Sequence, residues 1–229
     1  MNYSLFPGTF ILTFGSKATA LGSATLSATN AGATDPQLTG ALGAGLAVML
    51  ALLVTASVSG AHVNPCITLA WAVRGKLQWR KVMKYMLGQY LGAGLGAVTV
   101  LLVYFQAVEQ SGAVIIASYP SPLHTHSDVT YQALDYCNLI FDQFLASTLL
   151  MLAFSSIVLE NHQPGPLLMG LSVTGIILAL GPNGGCAMNP ALDFMCRYFD
   201  WQHSWIFVGG FGQYLWIFVR TFLQSLSIF

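Results

Sequence analysis

The chain has 229 residues, of which 55% are hydrophobic and only 7% charged, against roughly 25% charged in soluble domains. That makes it a membrane protein, and 8 basic against 8 acidic residues leave a formal net charge of zero, so no bulk attraction draws nucleic acid or an acidic partner. Four cysteines, Cys66, Cys137, Cys186 and Cys196, show neither CxxC spacing nor histidines at metal-ligand spacing, so no disulfide framework, metal or cofactor is expected.

The chain begins MNYSLFPGTF with no basic n-region, which reads as an uncleaved first helix rather than a signal peptide. A helix needs about twenty apolar residues to cross the hydrocarbon, and six runs of that kind occur, at about 5–25, 38–58, 82–104, 139–159, 166–182 and 205–226. No long polar stretch separates them, so one integral domain is expected over residues 1–229.

Two shorter runs interrupt this series. One lies in SGAHVNPCITLAW and the other in NGGCAMNPALDFM, each passing from small residues through Asn-Pro into a helical apolar pattern. Pro at the first helical position strands no donor, and the Asn before it caps the turn. Asn64-Pro65-Cys66 and Asn189-Pro190-Ala191 therefore read as helix starts. A single Asn-Pro pair also marks ordinary turns, but two in matched contexts, 189 − 64 = 125 residues apart, are not a coincidence. The runs that follow, 65–73 and 190–199, are long enough to reach the midplane of a bilayer and too short to cross it. They read as re-entrant half-helices, with surface connecting helices as the alternative.

Arg74, Lys76, Arg80, Lys81 and Lys84 crowd one connection between the second and third runs, while Glu109, Asp128 and Asp135 lie in a stretch at about 106–138 free of Lys and Arg. The positive-inside rule puts the first inside and the second outside, so six spans leave both termini cytoplasmic. The expected fold class is all-α, with six transmembrane helices plus two re-entrant half-helices. Three spans and one half-helix per half, at about 1–105 and 139–229, make an inverted repeat about a pseudo-two-fold axis in the membrane plane. Phe6-Pro7-Gly8-Thr9 and Phe144-Leu145-Ala146-Ser147 open corresponding spans. Gly88, Gly92 and Gly96 carry the small-residue spacing of membrane helix packing.

Opposed in this way, the two half-helices meet tip to tip. Irregular backbone at that depth survives only beside protein or water. Gly60, Ala61, His62 and Val63 before the first tip, and Gly184 and Gly185 before the second, are thus expected to offer carbonyl acceptors along a water-lined path. Asn64 and Asn189 add side-chain donors at the centre, and two helix N-termini make the spot positive. A neutral hydroxyl suits such a path, whereas a cation is repelled. His124, His126 and His162 read as solvated loop residues, and no phosphate-binding loop is present.

On these residues the chain resembles the aquaporin family over essentially its full length. It is most similar to the aquaglyceroporin branch: Asp193 follows the second triplet, AHVNP matches the branch's AHLNP form, FDQF falls at 141–144, and ASYP at 117–120 resembles an ATYP in the outer loop. The resemblance implies a homotetramer in the lipid, with one pore per subunit, in the plasma membrane, passing water, glycerol and similar small neutral solutes. It also puts an outer selectivity filter at Ala44, Ile177, Cys186 and Leu192. Leu192 stands where the family carries Arg, Cys66 where it carries Ala, and Leu5 where it carries a buried Glu whose counterpart in the second half is Gln143. The expected filter is apolar, with weaker discrimination among neutral solutes and weaker exclusion of protons and cations. Lys17, inside the first span, either lines the outer vestibule or marks different packing of the N-terminus. A non-conducting scaffold of the same fold and a secondary transporter are the competing readings; an enzyme is not expected.

Overall fold

A computed structural model describes residues 5–28, 35–60, 62–107, 118, 129–159 and 164–199. Among these residues the regular structure is helical throughout, with no strand. Helix α1 spans Leu5–Ala28, α2 Pro36–Ser59, α3 Pro65–Val73, α4 Trp79–Val103, α5 Val129–Phe154, α6 Gly165–Gly184 and α7 Pro190–Phe199. The short helices α3 and α7 occupy the two half-helix runs with the expected bounds. The expected sixth span, Ala61, most of the outer loop, His124, His126 and His162 lie outside the described residues.

Four of the long helices, α2, α4, α5 and α6, hold segments long and apolar enough to cross a membrane, with mean hydropathy from 1.6 to 2.1. Helix α1 has the length, at 24 residues, but is interrupted by Gly, Ser and Thr and carries Lys17 near its middle. On α2, Leu38, Leu42, Leu46 and Leu50 are all exposed. Their four-residue spacing puts them on one face, as expected of a helix turned to lipid. The end of the fourth expected span departs from the α-helix, since Ser155–Leu159 forms a π-turn.

Lipid tails give apolar side chains no reason to prefer a neighbouring helix, so close backbone approach must hold the bundle. On α4 that is the work of Gly92 and Gly96. A Cβ at Gly92 would strike the Phe6 carbonyl, and one at Gly96 would come within 2.8 Å of the Thr13 side chain. The same device joins α2 to α6, where a Cβ at Gly170 would stand 2.7 Å from the Gly45 carbonyl. Thr174 adds a hydroxyl bond of 3.3 Å to the Ala41 carbonyl. Phe154 of α5 is fully buried, in a T-shaped contact with Trp71 of α3 at 5.1 Å.

Candidate functional site

Glycine ends the long helix before each half-helix. Gly60 closes α2 at φ 72° and Gly185 closes α6 at φ 80°, both left-handed positions that glycine takes without a Cβ penalty. Beyond each, one side chain is forced into the same region, Val63 at φ 34° and Cys186 at φ 50°. A β-branched residue there is strained, and the strain falls directly before Asn64.

Asn64 is extended, at φ −152°, and its Oδ1 accepts the Cys66 N–H at 2.9 Å while Pro65 opens α3. Asn189 Oδ1 accepts the Ala191 N–H at 3.2 Å at the start of α7. The carboxamides then cross. Asn64 Nδ2 donates to the Met188 carbonyl at 3.0 Å, and Asn189 Nδ2 to the Val63 carbonyl at 2.8 Å. Each tip is thereby tied to the opposite loop. A carboxamide carries two N–H donors, so one on each Asn remains beyond the tie.

The expected ladder of unpaired carbonyls is altered in two places. The Val63 carbonyl takes the cross-tip bond, and the Gly184 carbonyl accepts Gln143 Nε2 at 2.7 Å. The reason is burial, since an acceptor with no access to water is costly unless paired. Gln143 also accepts the Ala187 N–H at 3.0 Å, so one α5 side chain clasps the second loop from both ends. The first loop is held differently. Thr68 of α3 donates to the Asn64 carbonyl at 3.2 Å, accepts Gln89 Nε2 at 2.9 Å, and lies 3.3 Å from His62 Nδ1. His62 is buried, its ring packed on Trp71 and Tyr85.

A cavity of about 270 Å³ runs beside the tips. Asn64 and Asn189 both line it, together with Val63, Gly185, Met188 and all four of the expected filter residues, Ala44, Ile177, Cys186 and Leu192. Pro65, Cys66, Pro190, Ala191, Gly60, His62 and Gly184 are outside its lining. Apart from the Asn pair most of the wall is apolar. Two half-helix N-termini add positive potential where the amide donors sit.

One residue of the described wall is charged. Lys17 is buried in the bundle yet lines the cavity, and its Nζ donates to Ser118 Oγ at 3.1 Å. Ser118 also accepts Arg197 at its carbonyl, 2.6 Å away, and Arg197 Nε pairs with Asp193 Oδ2 at 2.7 Å. Sequence reasoning left the place of Lys17 open and missed Thr68, Gln89 and Arg197. A glutamine in the middle of an apolar span was the available signal for Gln89.

Together these elements define an all-α membrane protein whose paired half-helices enter the bundle and meet over a shared cavity. The chain belongs to the major intrinsic protein family, whose model matches residues 3–217. It is 33% identical to "Aquaporin-9" of Homo sapiens over 184 residues, 72% of this chain and 59% of that one. It is 30% identical to the "Glycerol uptake facilitator protein" of Streptococcus pneumoniae over 186 residues, 74% of this chain and 76% of that one. The chain thus spans less than two thirds of the aquaporin-9 relative. Among solved structures, the aquaglyceroporin from Plasmodium falciparum superimposes with a TM-score of 0.67, covering 98% of this chain and 91% of that chain at 22% identity. This last likeness bears on the fold.

Proposed function

We propose that the protein is a passive transmembrane channel for water and small uncharged solutes such as glycerol. The observation that carries the reading is the pair Asn64 and Asn189, which line one cavity and keep one N–H each beyond the bonds that fix them. A solute hydroxyl accepts from those donors at the centre, while the apolar wall takes its carbon skeleton. Relatives named as aquaporin and glycerol uptake facilitator support the same substrate class. In this reading the triplets Asn64-Pro65-Cys66 and Asn189-Pro190-Ala191 build the central constriction, the two Asn facing the lumen and the other four setting the half-helix starts behind them, and Ala44, Ile177, Cys186 and Leu192 form the outer one. One channel domain of two inverted halves, about 1–105 and 139–229 around an outer loop at about 106–138, works as a homotetramer in the plasma membrane with both termini cytoplasmic. It is not an enzyme.

Stopped-flow light scattering on proteoliposomes tests the reading. Shrinkage under an impermeant osmolyte and reswelling with glycerol are both expected to exceed those of protein-free liposomes. Rates equal to bare lipid for both would instead identify a non-conducting protein of the same fold.

A further inference from the structure

We propose that Lys17 is the charge-selecting residue of this pore, supplying from α1 the cation and the donor that Leu192 lacks; the proposal rests on the channel reading above. Lys17 and Leu192 share the cavity wall, and Leu192 belongs to two apolar clusters that also hold α1 residues flanking Lys17, Leu12 and Ile11 in one and Leu21, Phe14 and Ala18 in the other. Depth follows from the antiparallel register of α1 and α2. Gly15 lies against Ala47 and Thr19 against Gly43, so Lys17 stands opposite position 45, beside Ala44 of the outer constriction.

The charge there is not cancelled. Of the two cations that meet Ser118, Arg197 is paired with Asp193, whereas no carboxylate among the described residues pairs with Lys17. Placing an ammonium in a bundle is costly unless it faces water or a partner. Ser118 takes one of its three N–H donors and the cavity is what remains for the others. An ammonium at that level donates to a hydroxyl oxygen and repels a sodium ion or a hydrated proton before either reaches the tips. The outer constriction is therefore apolar at the four positions read from sequence and cationic at a fifth. Neutral hydroxyl solutes are admitted and small cations turned back.

The test compares wild-type protein with Lys17→Met and Lys17→Arg in proteoliposomes, reading glycerol reswelling alongside sodium and proton leak. The ratio of cation leak to glycerol flux is expected to rise roughly tenfold or more in Lys17→Met and to stay near wild type in Lys17→Arg. A ratio unchanged in Lys17→Met while glycerol flux persists overturns the proposal and leaves the channel reading standing. Absence of both water and glycerol flux in the wild type sinks both. Should Lys17→Met fail to assemble, Lys17→Cys is measured in a Cys186→Ser background before and after 2-aminoethyl methanethiosulfonate, with Cys186→Ser alone treated alike. The ammonium-bearing adduct is expected to lower the leak where a neutral methyl reagent does not, and equal leak after the two reagents overturns the proposal.

Discussion

Asn64 and Asn189 cap their half-helices alike and each donates across to the other's loop, but the two loops are anchored from behind by different means. The second hangs on Gln143, a side chain of the long helix α5 that grips both the Gly184 carbonyl and the Ala187 N–H. The first hangs on Thr68, which belongs to the half-helix it steadies and is itself held by Gln89 of α4. One loop is thus positioned by a spanning helix and the other by its own half-helix. The cysteines differ too: Cys186 of the second loop lines the cavity and Cys66, in the first turn of α3, does not. Equal tips do not require equal supports, because the cross-tip bonds set the distance between the Asn carboxamides and each support only has to hold its own loop still.

The largest effect is expected where the loops differ in exposure to the cavity. A mercurial bound to Cys186 should remove most of the water flux, since the cavity of about 270 Å³ has little room for it. The block should vanish in Cys186→Ser and persist in Cys66→Ser, as followed by osmotic shrinkage with labelling checked by mass spectrometry. Block lost in Cys66→Ser instead would break the comparison. Next in size is Gln143→Leu, which gives the second half the residue type that the first carries at Leu5. It strips the partners from a buried carbonyl and a buried N–H, at about 1–3 kcal/mol each. The expected outcome is a lowered melting temperature in detergent and a several-fold loss of glycerol flux. If both stay at wild-type values, Gln143 is not what holds the second loop.

Much of this was readable in advance, and the reason is local. Asn-Pro fixes a cap and a helix start within three residues, so α3 and α7 begin and end where the sequence says. The glycine ends of α2 and α6 are equally local. What escaped depends on which atoms meet across the bundle. The bonds from Asn64 to Met188 and from Asn189 to Val63 join residues 124 and 126 positions apart, and no pattern in either segment announces them. They turn the Asn pair from freely offered donors into tethered ones with a single N–H each to spare. Lys17 shows the same limit, since its cost in an apolar span is visible in sequence while the cavity that relieves it is assembled from several helices and both loops, distant in the chain. The π-turn at Ser155–Leu159 has no sequence signal that we can name.

The smallest expected effect lies at Thr68, and it sharpens the comparison because two substitutions separate its hydroxyl from its shape. Thr68→Val keeps the volume but leaves Gln89 Nε2 without its partner at 2.9 Å and His62 without its contact at 3.3 Å. The Asn64 carbonyl is less affected, as it still accepts the Thr68 N–H at 3.1 Å. Gln89 Oε1 has no partner among the described residues, so the carboxamide would lose its described anchor. A cost of about 1–3 kcal/mol is expected, below that of Gln143→Leu, with glycerol flux reduced by less because the bond from Asn64 to Met188 survives. Thr68→Ser retains the hydroxyl and gives up one methyl, a loss of roughly 1 kcal/mol, and its flux should match wild type. Paired melting and reswelling measurements on the two variants decide the point: if Val and Ser behave alike, packing alone supports the first loop, whereas a Val defect absent from Ser assigns that support to the hydroxyl.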